Sequence, residues 1–207
     1  MIICMSLHPL IAQQSSPGQP RRRLLLRGSL ALPLWALTGA RASDAALALL
    51  RTGGVVVTLR HALAPGTFDP PEFQLGDCRT QRNLNDEGRD QARRIGQWFQ
   101  GQGLKPTQVR SSPWCRCIDT ASLAFGAAAA WPALGSPRNH GEQTNEEHLR
   151  QLRAGLAAVA PGTFEVWVTH AFVQQALTGE STAAAEGLVV RLGARGAVKT
   201  VARLAVA

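Results

Sequence analysis

The sequence predicts a three-layer α/β/α sandwich with a mostly parallel central sheet. Short β-branched runs alternate along the chain with amphipathic helical patterns, an order typical of a parallel sheet with helices on both faces. The first run, residues 54–59 (GVVVTL), is almost continuously apolar, which indicates a strand buried on both of its faces. With 207 residues, of which 45% are hydrophobic, the chain is long enough to bury such a core in one domain.

Apolar spacing and capping residues place the helices. Asn85 is the predicted N-cap of a helix that reaches about residue 102. Ser112 and Pro113 are predicted to start another helix, with serine as the cap and proline at the first helical position. Shorter helical patterns cover residues 44–50, 149–159 and 173–177.

The remaining strands follow the same alternation. Residues 107–111 and 164–169 are predicted to be buried strands, and residues 131–134 a short one. Residues 188–192 and 198–204 are joined by the segment GARG and are predicted to form a closing hairpin.

The positive charge of the chain is concentrated near its start. The formal net charge is +8, but residues 1–42 hold five arginines and no acidic residue, which leaves 17 basic and 14 acidic residues, or +3, for the rest. A charge of +3 is that of an ordinary solvated surface, so we expect no nucleic-acid partner.

Residues 1–42 have the pattern of a signal peptide. Three arginines at 21–23 precede an apolar stretch over residues 28–39, and the triplet 40–42 (ARA) is a small-x-small cleavage pattern that would leave Ser43 as the mature N-terminus. The apolar stretch is too short for a bilayer core, which needs about 20 residues. Paired arginines before three leucines favour twin-arginine-type export, with the general secretory route and a retained anchor as alternatives. We therefore expect a periplasmic or secreted domain at residues 43–207, without stable membrane association after processing.

An exported domain can hold a disulfide among its remaining cysteines. Cys115 and Cys117 are two residues apart at the start of a predicted helix and point to different faces, so they are not expected to pair with each other. We expect Cys78 to pair with either Cys115 or Cys117, which leaves the third thiol free. The cysteine spacing does not indicate a metal site.

Anion-binding side chains follow three of the predicted strands. Arg60 and His61 end the first strand, Arg116 follows the second, and His170 follows a later one. In a parallel sheet these strand ends meet at one crevice, where ligands bind. A neutral imidazole is a competent nucleophile, and a guanidinium binds phosphate oxygens through paired donors. A cation such as Arg116 near a helix start is disfavoured by the helix dipole unless an anion binds there as well.

Four ordered motifs resemble those of the histidine phosphatase (phosphoglycerate mutase-like) superfamily. Residues 60–62 (RHA) are similar to the family's RHG motif, with Ala62 where glycine is usual. Residues 84–92 resemble its LTxxGxxQA helix start, residues 111–121 its SSPxxRxxxTA motif, and residues 168–170 its last histidine motif. The resemblance extends from about Gly54 to the end of the chain.

This resemblance implies a role for each matched residue. His61 would be the nucleophile that accepts the phosphoryl group, and Arg60, Arg116 and His170 would hold its oxygens. Arg82, in the long segment after the first strand, is a further candidate for phosphate binding. The family needs no metal or other cofactor for this step, so we expect none.

Two departures from the family pattern leave the chemistry open. Many members have an acid that protonates the leaving group, but no acidic residue lies beside His170, and Glu142 is the candidate that remains. The segment from Ala62 to Asn83 is long, and we expect it to form a wall or lid of the pocket. Phe68, Phe73, Asp77, Arg79 and Arg82 belong to this segment.

The function expected from the sequence is hydrolysis of a small phosphorylated substrate, a phosphomonoester or a phosphohistidine, through a phosphohistidine intermediate. A catalytically impaired phospholigand-binding protein of the same fold is the main alternative, because the leaving-group acid is missing from its usual place. A phosphoglycerate mutase is the third hypothesis, and export of the domain argues against it.

Overall fold

The computed structural model of the protein describes residues 35–137 and 141–206, with side chains from residue 44 onward. The helices are α1 (Trp35–Thr52), α2 (Asp86–Gly101), α3 (Cys115–Phe125), α4 (Glu142–Ala158) and α5 (Ala171–Thr178). The strands are β1 (Val55–Arg60), β2 (Gln108–Ser111), β3 (Ala129–Ala130), β4 (Phe164–Thr169), β5 (Gly187–Leu192) and β6 (Val198–Leu204).

One six-stranded sheet organises the domain, in the order β3-β2-β4-β1-β5-β6. The first four strands of that order are mutually parallel, whereas β5 is antiparallel to both β1 and β6. The predicted mostly parallel sheet and the closing hairpin of β5 and β6 are both confirmed. Because β1, β2 and β4 run in the same direction, their carboxyl ends lie at the same edge.

Helices cover both faces of the sheet, as the sequence predicted. On β1, Val55 and Val57 belong to a buried cluster that includes apolar residues of α1, α2 and α3. Val56, between them, belongs to a second cluster with apolar residues of α4 and α5. This alternation is that of a strand buried on both faces, and it gives the domain its three layers.

Several boundaries differ from those predicted. The helix predicted at 173–177 spans Ala171–Thr178, and the one predicted at 149–159 begins at Glu142 and ends at Ala158. Residues 131–134 are not a strand, because Pro132 starts a 3₁₀ turn over Pro132–Leu134 and the short strand is Ala129–Ala130. Ser112 is not the cap of α3, which begins at Cys115 with Trp114 at the N-cap position.

The first helix is longer than the pattern at residues 44–50 predicted. α1 spans Trp35–Thr52, so the predicted mature N-terminus at Ser43 falls inside it. Among the residues of α1 whose side chains the structure describes, Ala46 and Leu50 are buried, and both follow the predicted cleavage point. Residues 1–34 of the predicted signal peptide lie outside the described residues, and its cleavage stays a prediction. No helix within residues 35–137 and 141–206 is both long enough and apolar enough to cross a bilayer.

Candidate active site

The two predicted site histidines leave the sheet side by side. Arg60 at the end of β1 is paired with Thr169 at the end of β4, and the backbone N–H of His61 donates to the carbonyl of Thr169 at 3.0 Å. His61 and His170 are the next residues of the two strands, and their ring centroids are 5.5 Å apart. The parallel register of β1 and β4 therefore brings together two histidines that are far apart in the sequence.

His61 is held as a neutral imidazole with a defined tautomer. Its Nδ1 lies 2.8 Å from the carbonyl oxygen of Ala62, and since a carbonyl only accepts, Nδ1 carries the proton. Nε2 then keeps its lone pair. Burial lowers the pKa of His61 to about 3, the hydrogen bond to Ala62 opposes this shift, and the charges of Arg116, Arg82 and Arg60 add to it. At neutral pH the ring is uncharged and lies near the guanidinium groups of three arginines.

His170 is buried between polar partners. Its Nε2 lies 2.8 Å from Ser112 Oγ, and its Nδ1 lies 3.5 Å from Nη2 of Arg116. Burial lowers the pKa of His170, and the charge of Arg116 lowers it further. The Ser112 hydroxyl thus positions His170, and it also accepts from the backbone N–H of Trp114 at 3.3 Å, the residue just before α3, although it is not the N-cap.

Arg116 lies in the first turn of α3 and is only 4% exposed. Its Nη1 is 2.8 Å from Asp69 Oδ1, and its Nη2 faces His170. Thr120, one turn later, donates from Oγ1 to the carbonyl of Arg116 and accepts from the backbone N–H of Ala62 at 3.0 Å. Thr120, near the end of the motif at residues 111–121, therefore fixes the backbone next to His61.

The motif at residues 84–92, at the start of α2, also supports the backbone that follows His61. Gly88 is buried in α2, and a Cβ added there would lie 2.0 Å from the carbonyl oxygen of Leu63, so only glycine allows this close approach. Gln91 accepts a hydrogen bond from the backbone N–H of Leu63 at 2.9 Å. These contacts hold the chain in place directly after the nucleophile candidate.

Arg60 and Arg82 complete a group of three arginines around the histidines. Arg60 donates to the carbonyl of Thr182 at 2.7 Å, and Arg82 donates to the carbonyls of Ala64 and, at 2.7 Å, Gly66. The Nε atoms of Arg60, Arg82 and Arg116 are buried without a hydrogen-bond partner in the described part of the chain. Neutral carbonyls orient Arg60 and Arg82 but do not balance their charge, so this end of the sheet attracts an anion.

All five predicted phosphate-binding and nucleophilic residues line one cavity of about 490 Å³. They are Arg60, His61, Arg82, Arg116 and His170. The cavity size is within the range of small-molecule sites, roughly 300–1,000 Å³. Of the five, Arg82 was the least certain from sequence, and the structure places it beside the other four.

Glu142, the predicted leaving-group acid, is not part of this cavity. It is the first residue of α4, its side chain is exposed, and it is not among the residues lining the cavity. The structure therefore does not bring Glu142 to His61.

Sequence reasoning missed Asp69, the only acidic residue among the described residues that line the cavity. Its carboxylate accepts from Arg116, from the backbone N–H of Arg82 at 3.0 Å and from Trp114 Nε1 at 3.2 Å. Burial alone would raise the pKa of Asp69, but these hydrogen bonds and the charge of Arg116 outweigh it, so the pKa is lowered. Asp69 is a carboxylate at neutral pH. The one sequence signal for Asp69 is its place in the long segment between the motif that contains Arg60 and the motif that contains Arg116.

The segment after β1 forms one wall of the cavity, as expected. Phe68, Phe73 and Arg82 line it, whereas Asp77 and Arg79 pair with each other on the surface and do not. A disulfide joins Cys78 in this segment to Cys115 at the start of α3, which is one of the two pairings that the sequence left open. Cys117 is a buried free thiol.

No cluster of three or more histidine, cysteine or carboxylate side chains that could hold a metal ion occurs among the residues that the structure describes. The positive charge at the site comes from arginine side chains. The site has the composition of a phosphoryl pocket in which arginines neutralise the charge.

Residues 56–184 match the Histidine phosphatase superfamily (branch 1). The chain belongs to this superfamily. The match includes His61, Arg116 and His170, and it ends before β5. No curated protein sequence matches the chain.

Several solved structures share the fold at low sequence identity. The protein histidine phosphatase SixA complexed with tungstate is 20% identical, with 73% of this chain and 96% of that one covered and a TM-score of 0.51. The α-ribazole phosphatase from Shigella flexneri is 12% identical, with 74% and 97% covered and a TM-score of 0.54. Phosphoglycerate mutase from Thermus thermophilus is 18% identical, with 74% and 99% covered and a TM-score of 0.50. These likenesses identify a phosphoglycerate mutase-like fold.

Proposed function

We propose that this chain is an exported phosphatase that hydrolyses a phosphomonoester or a phosphohistidine through a phosphohistidine intermediate on His61. The observation that carries the proposal is the state of His61: a neutral ring with its proton on Nδ1, buried beside three arginines. The superfamily contains phosphatases and mutases, and a neighbour in fold is a protein histidine phosphatase.

In the proposed reaction the arginines bind the phosphoryl oxygens and His61 attacks. Arg60, Arg82 and Arg116 neutralise the charge, and His170 faces the same cavity from the end of β4. The lone pair of His61 Nε2 forms a bond to phosphorus as the bond to the leaving group breaks with its electron pair. Water then attacks the phosphorus, its proton leaves to solvent, and the P–N bond returns its electron pair to Nε2, which releases phosphate.

Domain export and metal independence are further parts of the proposal. The signal-peptide pattern of residues 1–42 supports release of residues 43–207 outside the cytoplasm.

The three arginines provide the charge that a metal ion supplies in other phosphoryl-transfer sites, so activity in the presence of a chelator is expected. Loss of activity with chelator and its return with a divalent ion would refute metal independence.

The second candidate function is binding of a phosphorylated ligand without turnover. Two observations favour it: Glu142 lies outside the cavity, and Asp69 is held as an anion by Arg116. A binding protein would keep the arginine pocket, and it would bind inorganic phosphate without forming a covalent intermediate.

The experiment that tests the proposal is trapping of the phosphoenzyme. The domain from Ser43 is mixed with a ³²P-labelled phosphomonoester and quenched within milliseconds, and we expect an acid-labile, alkali-stable label on His61. His61→Ala should lose both label and turnover, while His148→Ala, a histidine of α4 outside this cavity, should keep both. Stabilisation of His61→Ala by inorganic phosphate shows that the variant is folded. A folded His61→Ala protein that retains turnover would refute the mechanism.

A further inference from the structure

Large exposed apolar side chains occur at four positions among the described residues, and two of these positions are at the cavity. Phe68 is 53% exposed and Phe172 is 52% exposed, and both line the cavity that contains His61. The other two, Leu75 and Ile118, do not line it. Phe68 and Phe172 come from separate elements, the segment after β1 and the first turn of α5. Exposed phenyl groups gathered at a ligand cavity indicate a surface that a ligand covers.

The cavity has a charged end and an apolar end. The charged end is buried, since His61, Arg116 and His170 are each less than 5% exposed. The exposed end is mostly apolar: Phe68, Phe172, Pro70 and Pro71 line it with the half-buried Phe73, and Gly66 and Thr67 are the other exposed residues there. A phosphoryl group at the charged end therefore places the rest of the substrate against phenyl and proline rings.

No charged residue besides the three arginines, the histidines and Asp69 lines this cavity in the described part of the chain. The carboxylate of Asp69 is already paired with Arg116. Among the residues that the structure describes, the exposed end thus offers no cation for a second phosphate or a carboxylate of the substrate. It fits an uncharged, flat and apolar group.

The same conclusion follows from the chemistry of the leaving group. Asp69 has no proton to give at neutral pH, because its pKa is lowered by the hydrogen bonds and the charge described above. No other acidic side chain lines the cavity in the described part of the chain, so we expect the leaving group to depart without protonation by a carboxylic acid. A ring-bound oxygen or nitrogen accepts the electron pair of the breaking bond more easily than an alkoxide, because the ring delocalises the charge.

We propose that Phe68 and Phe172 bind an aromatic ring that carries the phosphoryl group, so that the substrate class is an aryl phosphomonoester or a phosphorylated imidazole. This inference rests on the proposed phosphatase function. His61 Nε2 forms a bond to phosphorus while the bond from phosphorus to the ring oxygen or nitrogen breaks with its electron pair. The departing phenolate or imidazolate takes a proton from solvent to become phenol or imidazole, and water then cleaves the P–N bond to release phosphate.

The test compares aromatic and non-aromatic substrates in matched variants. We measure kcat/KM for phenyl phosphate, phosphoimidazole and glycerol 2-phosphate in the unmodified domain, in Phe68→Ala/Phe172→Ala, and in Leu75→Ala. In the double variant, the ratio of phenyl phosphate to glycerol 2-phosphate should fall about tenfold or more, mainly through KM. In Leu75→Ala, whose side chain is similarly exposed but outside the cavity, the ratio should not change. A parallel fall for phosphoimidazole assigns the site to nitrogen-linked rings as well, and a fall for phenyl phosphate alone assigns it to oxygen-linked rings.

A binding measurement removes the effect of leaving-group reactivity. Phenylphosphonate and methylphosphonate are not hydrolysed, and the unmodified domain should bind the phenyl compound more tightly by about tenfold, a preference that the double variant loses. An unchanged preference in the double variant overturns the inference. If the phosphoenzyme forms on His61 but the ratios do not move, only the aromatic site is refuted, whereas absence of the phosphoenzyme with every substrate refutes the proposed function.

Discussion

Asp69 Oδ1 lies 2.8 Å from Arg116 Nη1, and both side chains are almost fully buried. The carboxylate thereby accepts a hydrogen bond from Arg116 Nη1, a donor that the proposed reaction assigns to a phosphoryl oxygen. The pair connects the segment after β1 to α3, and Asp69 also accepts from Arg82 and Trp114. One carboxylate therefore holds the guanidinium group of Arg116 and the backbone at Arg82.

Asp69→Asn tests this arrangement. The amide has a similar shape but no charge, so the buried Arg116 loses its anionic partner, and the free energy of unfolding without phosphate should fall by about 3–5 kcal/mol. Inorganic phosphate restores a negative charge and no longer competes with a carboxylate. It should therefore stabilise Asp69→Asn more than the unmodified domain, as measured by urea unfolding with and without phosphate. An equal or smaller phosphate effect in the variant would contradict this role.

Arg116→Lys should retain the charge and lose most of the rate. An ammonium group cannot contact Asp69 and face His170 at the same time as the two guanidinium nitrogens do. We expect kcat to fall about 10²–10³-fold, the usual cost of removing one transition-state donor. Arg110→Lys is the matched control, because Arg110 pairs with Glu165 and lies over Trp131, outside the cavity, and its kcat should not change. Comparable kcat in the two variants would show that Arg116 does not act on the transition state.

The buried histidines should make the domain sensitive to acid. The pKa of His61 is lowered to about 3 and that of His170 is also lowered, while both return to about 6.5 on unfolding. Between these values the unfolded chain binds protons that the folded domain does not. Their contribution to stability is complete above pH 6.5 and is lost as the pH falls below it, by up to about 1.4 kcal/mol per pH unit for each histidine. For His61 this loss continues towards pH 3.

Urea unfolding at pH 7 and pH 5 measures this effect in the unmodified domain and in His61→Asn. The variant lacks one of the two histidines, so its loss of stability between the two pH values should be smaller by about 2 kcal/mol. The carboxylates contribute equally to both proteins and cancel. Identical losses would show that His61 is not buried as a neutral group.

Loss of the Cys78–Cys115 disulfide should destabilise the domain and slow turnover. The two cysteines are 37 positions apart, and removing the bond in Cys78→Ser/Cys115→Ser should lower the free energy of unfolding by about 4 kcal/mol. Turnover should fall because the untied segment contains Asp69, Arg82 and Phe68. Dithiothreitol should reproduce both effects in the unmodified domain and have neither in the double variant. Peptide mapping that finds three free thiols in protein from the cell envelope would eliminate the disulfide.

Signal-peptide cleavage should leave a mature N-terminus near Ser43. This cut would shorten α1 and keep Ala46 and Leu50, which belong to the buried core. N-terminal sequencing of protein from the cell envelope tests the position. Folded, membrane-bound protein that still contains residues 21–42 would rule out cleavage.

The parts of the site that follow a strand could be predicted from sequence, because the parallel register determines where they meet. Arg60, His61 and His170 are examples, since each directly ends or follows β1 or β4. Ser112 was misassigned because a serine before a proline predicts a cap, whereas its hydroxyl is used by His170 in the folded protein. The strand predicted at 131–134 is a turn because Pro132 cannot donate a ladder hydrogen bond.

Asp69 could not be predicted, because its role depends on the path of an irregular segment. It is 47 positions from Arg116, and no periodic pattern relates the two residues. The cysteine that pairs with Cys78 could not be predicted either, since Cys115 and Cys117 are equally plausible partners until the position of α3 against the sheet is known.

The buried thiol of Cys117 has a consequence for oxidative folding. In an unfolded chain, Cys78 would close loops of nearly the same length with Cys115 and with Cys117, and the difference in closure entropy is only about 0.05 kcal/mol. Chain statistics therefore do not select the partner. Folding does, because it buries Cys117 completely and raises its pKa to about 12, which removes the thiolate needed for exchange. The correct pairing is thus chosen by a domain that has already formed its core, and any isomer made earlier has to be reshuffled before α3 packs.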